Sequence, residues 1–368
     1  MNETKWLTGT DGDAMLDYVA DRLTPRHWVL LAAAFTRRLW DLLPEGVLRQ
    51  AVDFTEHSEH PLSAAARSEW TSRIDADLPI SVGKAELTQR DIVRSCDPDA
   101  ADIDTPVLSR PNQLAPAFPL FQGASRNARN SIDWIAEALT QASQAVRSLF
   151  AEPGEELLTR VRQRVDEAAE TRTNANRAAN NALRMKAKGD EVADEAAGAK
   201  NKRLYESIAL EEVRKIEEGV RQRGGDFEAE DRRERAARKQ LAGFLREILG
   251  NPFRPPRFED AWRTSTVSAL AKGIFEDRAF DRMPILADAL LDADCDEEAV
   301  LRHCRGTELH AKEPVSHVRG CWVIDLILGR YEPLQPEKPT KKPRPRRRNR
   351  FEDLDLGFPL DLGDDRLT

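Results

Sequence analysis

From Glu155 to Leu249 the chain is low in complexity, rich in Ala, Glu, Arg and Asn, and its apolar residues recur at helical spacing. Leu157, Val161, Val165, Ala168, Ala175, Ala179 and Leu183 step by three, four or seven residues, as one face of a helix does. A second stripe passes through Leu204, Ile208, Val213, Ile216 and Val220, and a third through Leu241, Leu245 and Ile248. Gly189 and the pair Gly224–Gly225 are the expected turns between three long helices. The stretch cannot supply strands, so it commits the chain to a mainly α class with a long helical hairpin, coiled-coil-like, in its middle. Its balanced charges suit a solvated face laced with i,i+4 pairs.

The flanks divide around that middle. Residues 1–75 read as a helical N-terminal domain. Thr24 and Pro25 make an N-cap and first turn, and the following PRHWVLLAAAFTRRLWDLL has a broad apolar face through Trp28, Leu31, Ala32, Phe35, Leu39 and Leu42. His27, His57 and His60 fall at ends and loops and read as surface or capping residues. Residues 76–130 carry Pro79, Pro98, Pro106, Pro111, Pro116 and Pro119 and read as a proline-rich irregular arm docked on the helical body. Residues 131–249 read as the long Ala/Glu/Arg-rich helices. Residues 250–330 form a small C-terminal helical bundle, with Phe253 and Phe258 anchoring its extended lead-in and Trp322 in its core. Residues 331–368 read as a disordered tail.

Composition narrows the classes of function. A net charge of −8 excludes a protein that coats nucleic acid with its whole surface. Four irregularly spaced cysteines in a chain of 368 residues do not make a disulfide framework. The opening MNETKWLTGTDGDAM has neither a basic n-region nor an apolar h-region, and the longest apolar run, Trp28 to Phe35, is too short to span a bilayer. A cytoplasmic protein without a membrane span is the expectation.

The C-terminal module concentrates the residues that carry chemistry. His317 and Cys321, four apart, would share a helix face and could ligate one zinc ion; Cys295 and either His303 or Cys304 would complete the set. His303 and Cys304 are adjacent and point about 100° apart on a helix, so only one of them would join. The paired C-x2-C knuckle of strong zinc signals is missing. The plainer reading makes the cysteines small buried hydrophobes and sets the histidines against helix ends, with no cofactor. A thiol nucleophile, Cys321 with His303 or His317 and Asp325 as orienting acid, is the enzymatic alternative. Arg254, Arg257, Arg278, Arg282, Arg302, Arg305 and Arg319 would pair with Asp260, Asp277, Asp281 or Asp288 rather than line an anion pocket.

The tail is basic over residues 338–350 and then acidic, with Phe351, Leu354, Leu356, Phe358 and Leu360 as candidate partner-docking residues. The basic half is a candidate contact for nucleic-acid phosphates.

The motifs GNPFRP (Gly250–Pro255), Trp262, FDRMPILADALLDADC (Phe280–Cys295), HCRG (His303–Gly306) and HVRGCWVIDLILG (His317–Gly329) stand in this order. In that order they resemble the C-terminal module of a set of paralogous, uncharacterised proteins of planctomycete-type bacteria. The opening KWLTGTDGDAMLDYV and the helix LLAAAFTRRLWDLL are similar to the N-terminal part of the same set. Where that family's helix carries cysteines, this chain has Ala33, Ala34, Phe35 and Thr36. The resemblance covers the two ends of the chain and implies no activity. The residues themselves favour a non-enzymatic interaction or scaffold protein that meets a protein partner through its tail or helical arm and is capable of self-association. The alternative is a metal- or thiol-dependent enzyme or sensor built on Cys295, His303, Cys304, His317 and Cys321.

Overall fold

The computed structural model describes residues 1–58, 61–96, 115–197, 202–224, 227–307 and 317–336. Among these the chain is all-α. The first helices are α1 (Glu3–Thr8), α2 (Gly12–Val19), α3 (Pro25–Thr36), α4 (Val47–His57) and α5 (Ala64–Cys96). The long ones that follow are α6 (Phe118–Ser148), α7 (Glu155–Ala197), α8 (Lys202–Gly224) and α9 (Phe227–Leu249). The C-terminal set is α10 (Ser265–Asp277), α11 (Met283–Asp292), α12 (Glu298–Arg305) and α13 (Trp322–Leu328). No described helix is long and apolar enough to cross a membrane.

The helix α3 begins as its sequence dictates. The Thr24 hydroxyl accepts the His27 amide at 3.3 Å, and His27 Nδ1 accepts the Thr24 amide in return at 3.1 Å. This reciprocal capping satisfies two backbone donors that no helical carbonyl could reach. Nearly every residue of α3 is buried, so the helix is the centre of the largest core. That core is not confined to residues 1–75. It takes Leu139 and Val146 from α6 and Phe150 from the turn after it, Leu157, Val161 and Val165 from the start of α7, and Leu241, Leu245 and Ile248 from α9.

The main antiparallel hairpin is α6–α7: the first helix of the 155–249 stretch, expected to pair within that stretch, pairs instead with the helix before it, and α8 folds back on its far end. There a second, smaller core joins Leu120, Phe121, Ala124 and Ile132 to Ala182, Met185, Val192 and Ala209. A third core closes the C-terminal module around Trp262, Val267, Phe275, Leu286, Leu290, Val300 and Trp322.

Four expectations need correction. Residues 76–96 and 118–130, expected in an irregular arm, belong to α5 and α6; Pro79 lies inside α5. Helix packing overrides the proline: Trp70 and Ile74 are buried before it, and Val82 and Ala85 pack on the main core after it. Gly189 is no turn; it lies within α7, where an added Cβ would come within 3.0 Å of the Phe121 ring, so its smallness lets α6 and α7 approach. Phe253 anchors on the N-terminal helices, stacked on Tyr18 at 5.3 Å, whereas Phe258 meets Trp262 of the module edge to face. The tail begins later than residue 331: Leu334 packs on the main core, and Gln335 exchanges two hydrogen bonds with Arg22. Accordingly, Met1–Gln335 form one compact unit. His60, His310, the prolines at 98, 106 and 111, the basic stretch 338–350 and the docking residues Phe351 to Leu360 lie outside the described residues.

Burial pushes His27 down to about 4 from its ordinary 6.5, although Glu332 pulls the other way. The unfolded chain therefore takes up this proton at a higher pH than the folded chain does. Between pH 6.5 and 4 the unfolded state binds more protons, so stability falls as pH falls through that window. His27→Gln keeps a side-chain acceptor for the cap and removes the titration. Compared with wild type by urea unfolding at pH 7 and pH 4.5, the variant should lose less stability on acidification, by up to about 3 kcal/mol.

Candidate functional site

Four side chains from three separate stretches converge where α9 meets the C-terminal module. Glu247 comes from the last turn of α9, whose neighbouring Leu245, Ile248 and Leu249 are buried in the main core. His303 projects from α12, an amphipathic helix that also buries Val300, Leu301 and Cys304 and ends at Gly306 in left-handed conformation. His317 and Cys321 flank a turn closed by the Cys321 amide on the Val318 carbonyl at 3.0 Å. Gly320 makes that turn possible. Its φ is +93°, and a Cβ there would sit 2.8 Å from the Leu30 side chain of α3. Cys321 is then the N-cap residue of α13.

The contacts are close. His303 Nε2 lies 3.2 Å from Cys321 Sγ and 3.4 Å from Glu247 Oε2, and His317 Nδ1 lies 2.9 Å from Glu247 Oε1. One donor atom from each residue falls within 4.8 Å of all the others. The two imidazoles meet edge to face at 5.0 Å, and Trp322 covers His303 at 5.1 Å. Glu247 is 2% exposed, His303 1% and Cys321 0%. Glu247 Oε2 is buried without a hydrogen-bond partner.

Burial alone would keep the Glu247 carboxyl neutral. The nearby charge of His303 and the close contacts of both histidines outweigh it and hold the group at about 2. Burial likewise disfavours both imidazolium ions. Glu247 and Cys321 prevail, raising His303 well above its ordinary range and His317 to about 9. The pocket is thus an ionised carboxylate clasped by two imidazoles beside a thiol.

His303, His317 and Cys321 were expected together, and the fold assembles them. Their route differs from the expected one: a turn joins His317 to Cys321, not a shared helix face. Cys295 and Cys304 belong to the module's apolar core and stay out of the cluster. Burial pushes the Cys304 thiol up to about 12 and raises Cys295, so both behave as small hydrophobes. Asp325 is not an orienting acid; it is buried and paired with Arg26 of α3 at 2.6 Å. Glu247 takes the fourth place. Its signal in the sequence is weak but physical, since an acid in the last turn of a helix opposes the helix dipole and needs a local reason.

The module's arginines do pair with acids, mostly other ones than expected. Arg305 reaches Asp288, as expected, but Arg254 pairs with Glu3, Arg257 with Asp296 and Arg302 with Glu298. Arg319 is the hub. It binds Asp53 at 2.8 Å, Glu56 at 3.1 Å and the carbonyls of Phe275 and Glu276 at 2.9 and 2.7 Å. Arg37 and Arg278 share the same Glu56 carboxylate. These guanidinium groups line a cleft together with Asp53, Glu276 and Asp277. Each has a carboxylate partner, so the cleft is an ion-pair lattice between α4 and the module, not an anion pocket.

Comparison of the chain with family models, curated proteins and solved structures finds no match.

Two outcomes follow from this geometry. Alkylation of the native protein, mapped by mass spectrometry, should leave Cys295, Cys304 and Cys321 unmodified until the chain is unfolded. Glu247→Gln removes the charge that the two imidazoles share and should cost about 3–5 kcal/mol in denaturant unfolding at pH 7, as expected for breaking a buried ion pair from one side.

Proposed function

We propose that this protein is a non-enzymatic interaction or scaffold protein: a rigid helical body that presents its long helices, and the tail beyond residue 336, to a protein partner. One contrast carries the reading. The side chains best suited to chemistry are sealed inside the body, while apolar side chains on the long helices face solvent. A nucleophile or ligand at 0–2% exposure has no access to substrate, whereas catalytic centres keep a position open. Leu204 and Leu210 of α8 are instead 55% and 54% exposed, and Leu183 of α7 and Trp134 of α6 are exposed too. Large apolar residues left in solvent on adjoining helices favour protein association. The same distribution disfavours the thiol-enzyme alternative, because the Cys321–His303 pair lies under Trp322. Kinship with the planctomycete-type paralogous family, inferred from the order of motifs at the two ends, fits this reading and adds no activity to it.

Affinity capture from native cells with three baits tests the proposal: the full chain, a Leu204→Glu/Ile208→Glu/Leu210→Glu variant, and a chain ending at Gln335. A protein partner should copurify with the full chain and fall by about tenfold or more, equivalent to 1.4 kcal/mol of affinity, with one of the other two. Identical partner profiles from all three baits would sink the reading.

A further inference from the structure

We propose that Glu247, His303, His317 and Cys321 bind one zinc ion as a closed structural centre that fastens the end of α9 to the C-terminal module. The inference goes beyond the scaffold reading and stands without it.

Geometry is the first argument. Zinc takes four ligands in a tetrahedron, at about 2.0–2.1 Å for nitrogen, 2.0–2.2 Å for oxygen and 2.3 Å for sulfur, so its ligand atoms stand roughly 3.3–3.6 Å apart. The separations in the fold are 3.2 Å for His303 Nε2 to Cys321 Sγ, 3.4 Å for His303 Nε2 to Glu247 Oε2, and 2.9 Å for His317 Nδ1 to Glu247 Oε1. All four donor atoms lie within 4.8 Å of one another. The close pairs already stand near these values, and the widest pair, within 4.8 Å, has to draw in by about 1 Å for the four to surround one centre.

The second observation is the orphaned oxygen. Glu247 Oε2 is buried, faces His303, and accepts no hydrogen bond. Its one close contact is the 3.4 Å approach of His303 Nε2, and a buried carboxylate oxygen left without a hydrogen bond costs free energy that a metal bond would recover. Charge gives the third argument. A carboxylate, a thiolate and two neutral imidazoles carry −2 in total, which a divalent ion cancels in a site where three of the four residues are buried and the His317 side chain is 9% exposed. Three protons leave to solvent when the metal binds: the Cys321 thiol proton, and one from each imidazolium as its ring nitrogen bonds to the ion.

The donor set selects the ion. Two nitrogens, one sulfur and one oxygen are too soft for magnesium or calcium, which require oxygen shells. With four protein ligands and no open position the centre is structural and leaves no place for a metal-bound water. The ligands come from two parts of the chain, so one ion would tie α9, α12 and the turn before α13 together. Cys295 and Cys304, although close by in sequence, stay in the apolar core and contribute nothing to it.

The test uses the untagged full chain from zinc-supplemented culture, measured for metal by mass spectrometry. About one zinc per chain is expected in wild type and in Cys295→Ser, and less than about 0.1 in Cys321→Ser and His317→Ala. Removing zinc with a strong chelator should lower the melting temperature by about 10 °C or more, and zinc alone should restore it. Should those two variants fail to fold, the wild type with cobalt(II) in place of zinc supplies the answer. Intense visible ligand-field bands and a near-ultraviolet thiolate-to-cobalt band are expected from a tetrahedral site with one sulfur. Wild type that stays below about 0.1 metal per chain after incubation with zinc and desalting would overturn the proposal. So would a full equivalent of zinc retained by folded Cys321→Ser, or cobalt spectra without the thiolate band.

Discussion

The joint between α9 and the C-terminal module rests on one buried carboxylate. Glu247 stands at the end of a helix whose apolar face is already committed to the main core, so its charge has to be met from the other side. His303 and His317 meet it. Around it the chain's two ends are stitched to the same turn. The Trp6 indole donates to the Gly250 carbonyl at 2.9 Å, and Arg246 donates to the carbonyls of Trp6 and Gly9, each at 2.9 Å. The Trp322 ring covers Gly250 so closely that a Cβ there would lie 3.3 Å from it. The last turn of α9 is therefore held by the first helix and by the last one together.

Ionic contacts repeat that logic across the rest of the seam. Arg26 of α3 meets Asp325 of α13 inside the protein, and Arg319 joins Asp53 and Glu56 of α4 to the backbone of α10. Buried ion pairs add little net stability, because removing two charges from water offsets most of their attraction. Their effect is on register. An apolar surface tolerates a slip of a turn, whereas a guanidinium that must reach two carboxylates and two carbonyls does not. The seam is thereby fixed at three points: Glu247, Asp325 and Arg319.

What could be read from the sequence follows from how local each cause is. The long helices were legible because a 3.6-residue apolar period is written into each segment, and the Thr24–Pro25 start of α3 because capping is a matter of adjacent residues. Proline misled over residues 76–96 and 118–130. Pro79 forfeits a hydrogen bond within α5, but Trp70, Ile74, Val82 and Ala85 on either side bury enough surface to keep the helix going. Gly189 misled for the opposite reason: its role is close packing against Phe121, which no local pattern announces. The same division runs through the site. His303, His317 and Cys321 lie within twenty residues and were singled out by type, while Glu247 became their neighbour only through the tertiary fold. Cys295 and Cys304 have the right chemistry and are as buried as Cys321, but the fold does not turn their sulfur atoms to the cluster.

The position of the cluster also limits what kind of device it can be. Glu247 is the final turn of the helix that follows the α6–α8 assembly, and the other three residues belong to the module that closes the chain. Any event that opens the cluster must therefore loosen the module from the body, since the carboxylate cannot leave its partners without withdrawing the end of α9. Burial sets the cost of such an opening. Two imidazoles and a carboxylate stripped of one another would be left buried, His303 against the Trp322 ring, where unpaired charge is strongly unfavourable. A substrate site must exchange its contents on every turnover. A centre whose opening exposes buried charge to apolar walls is built to remain shut.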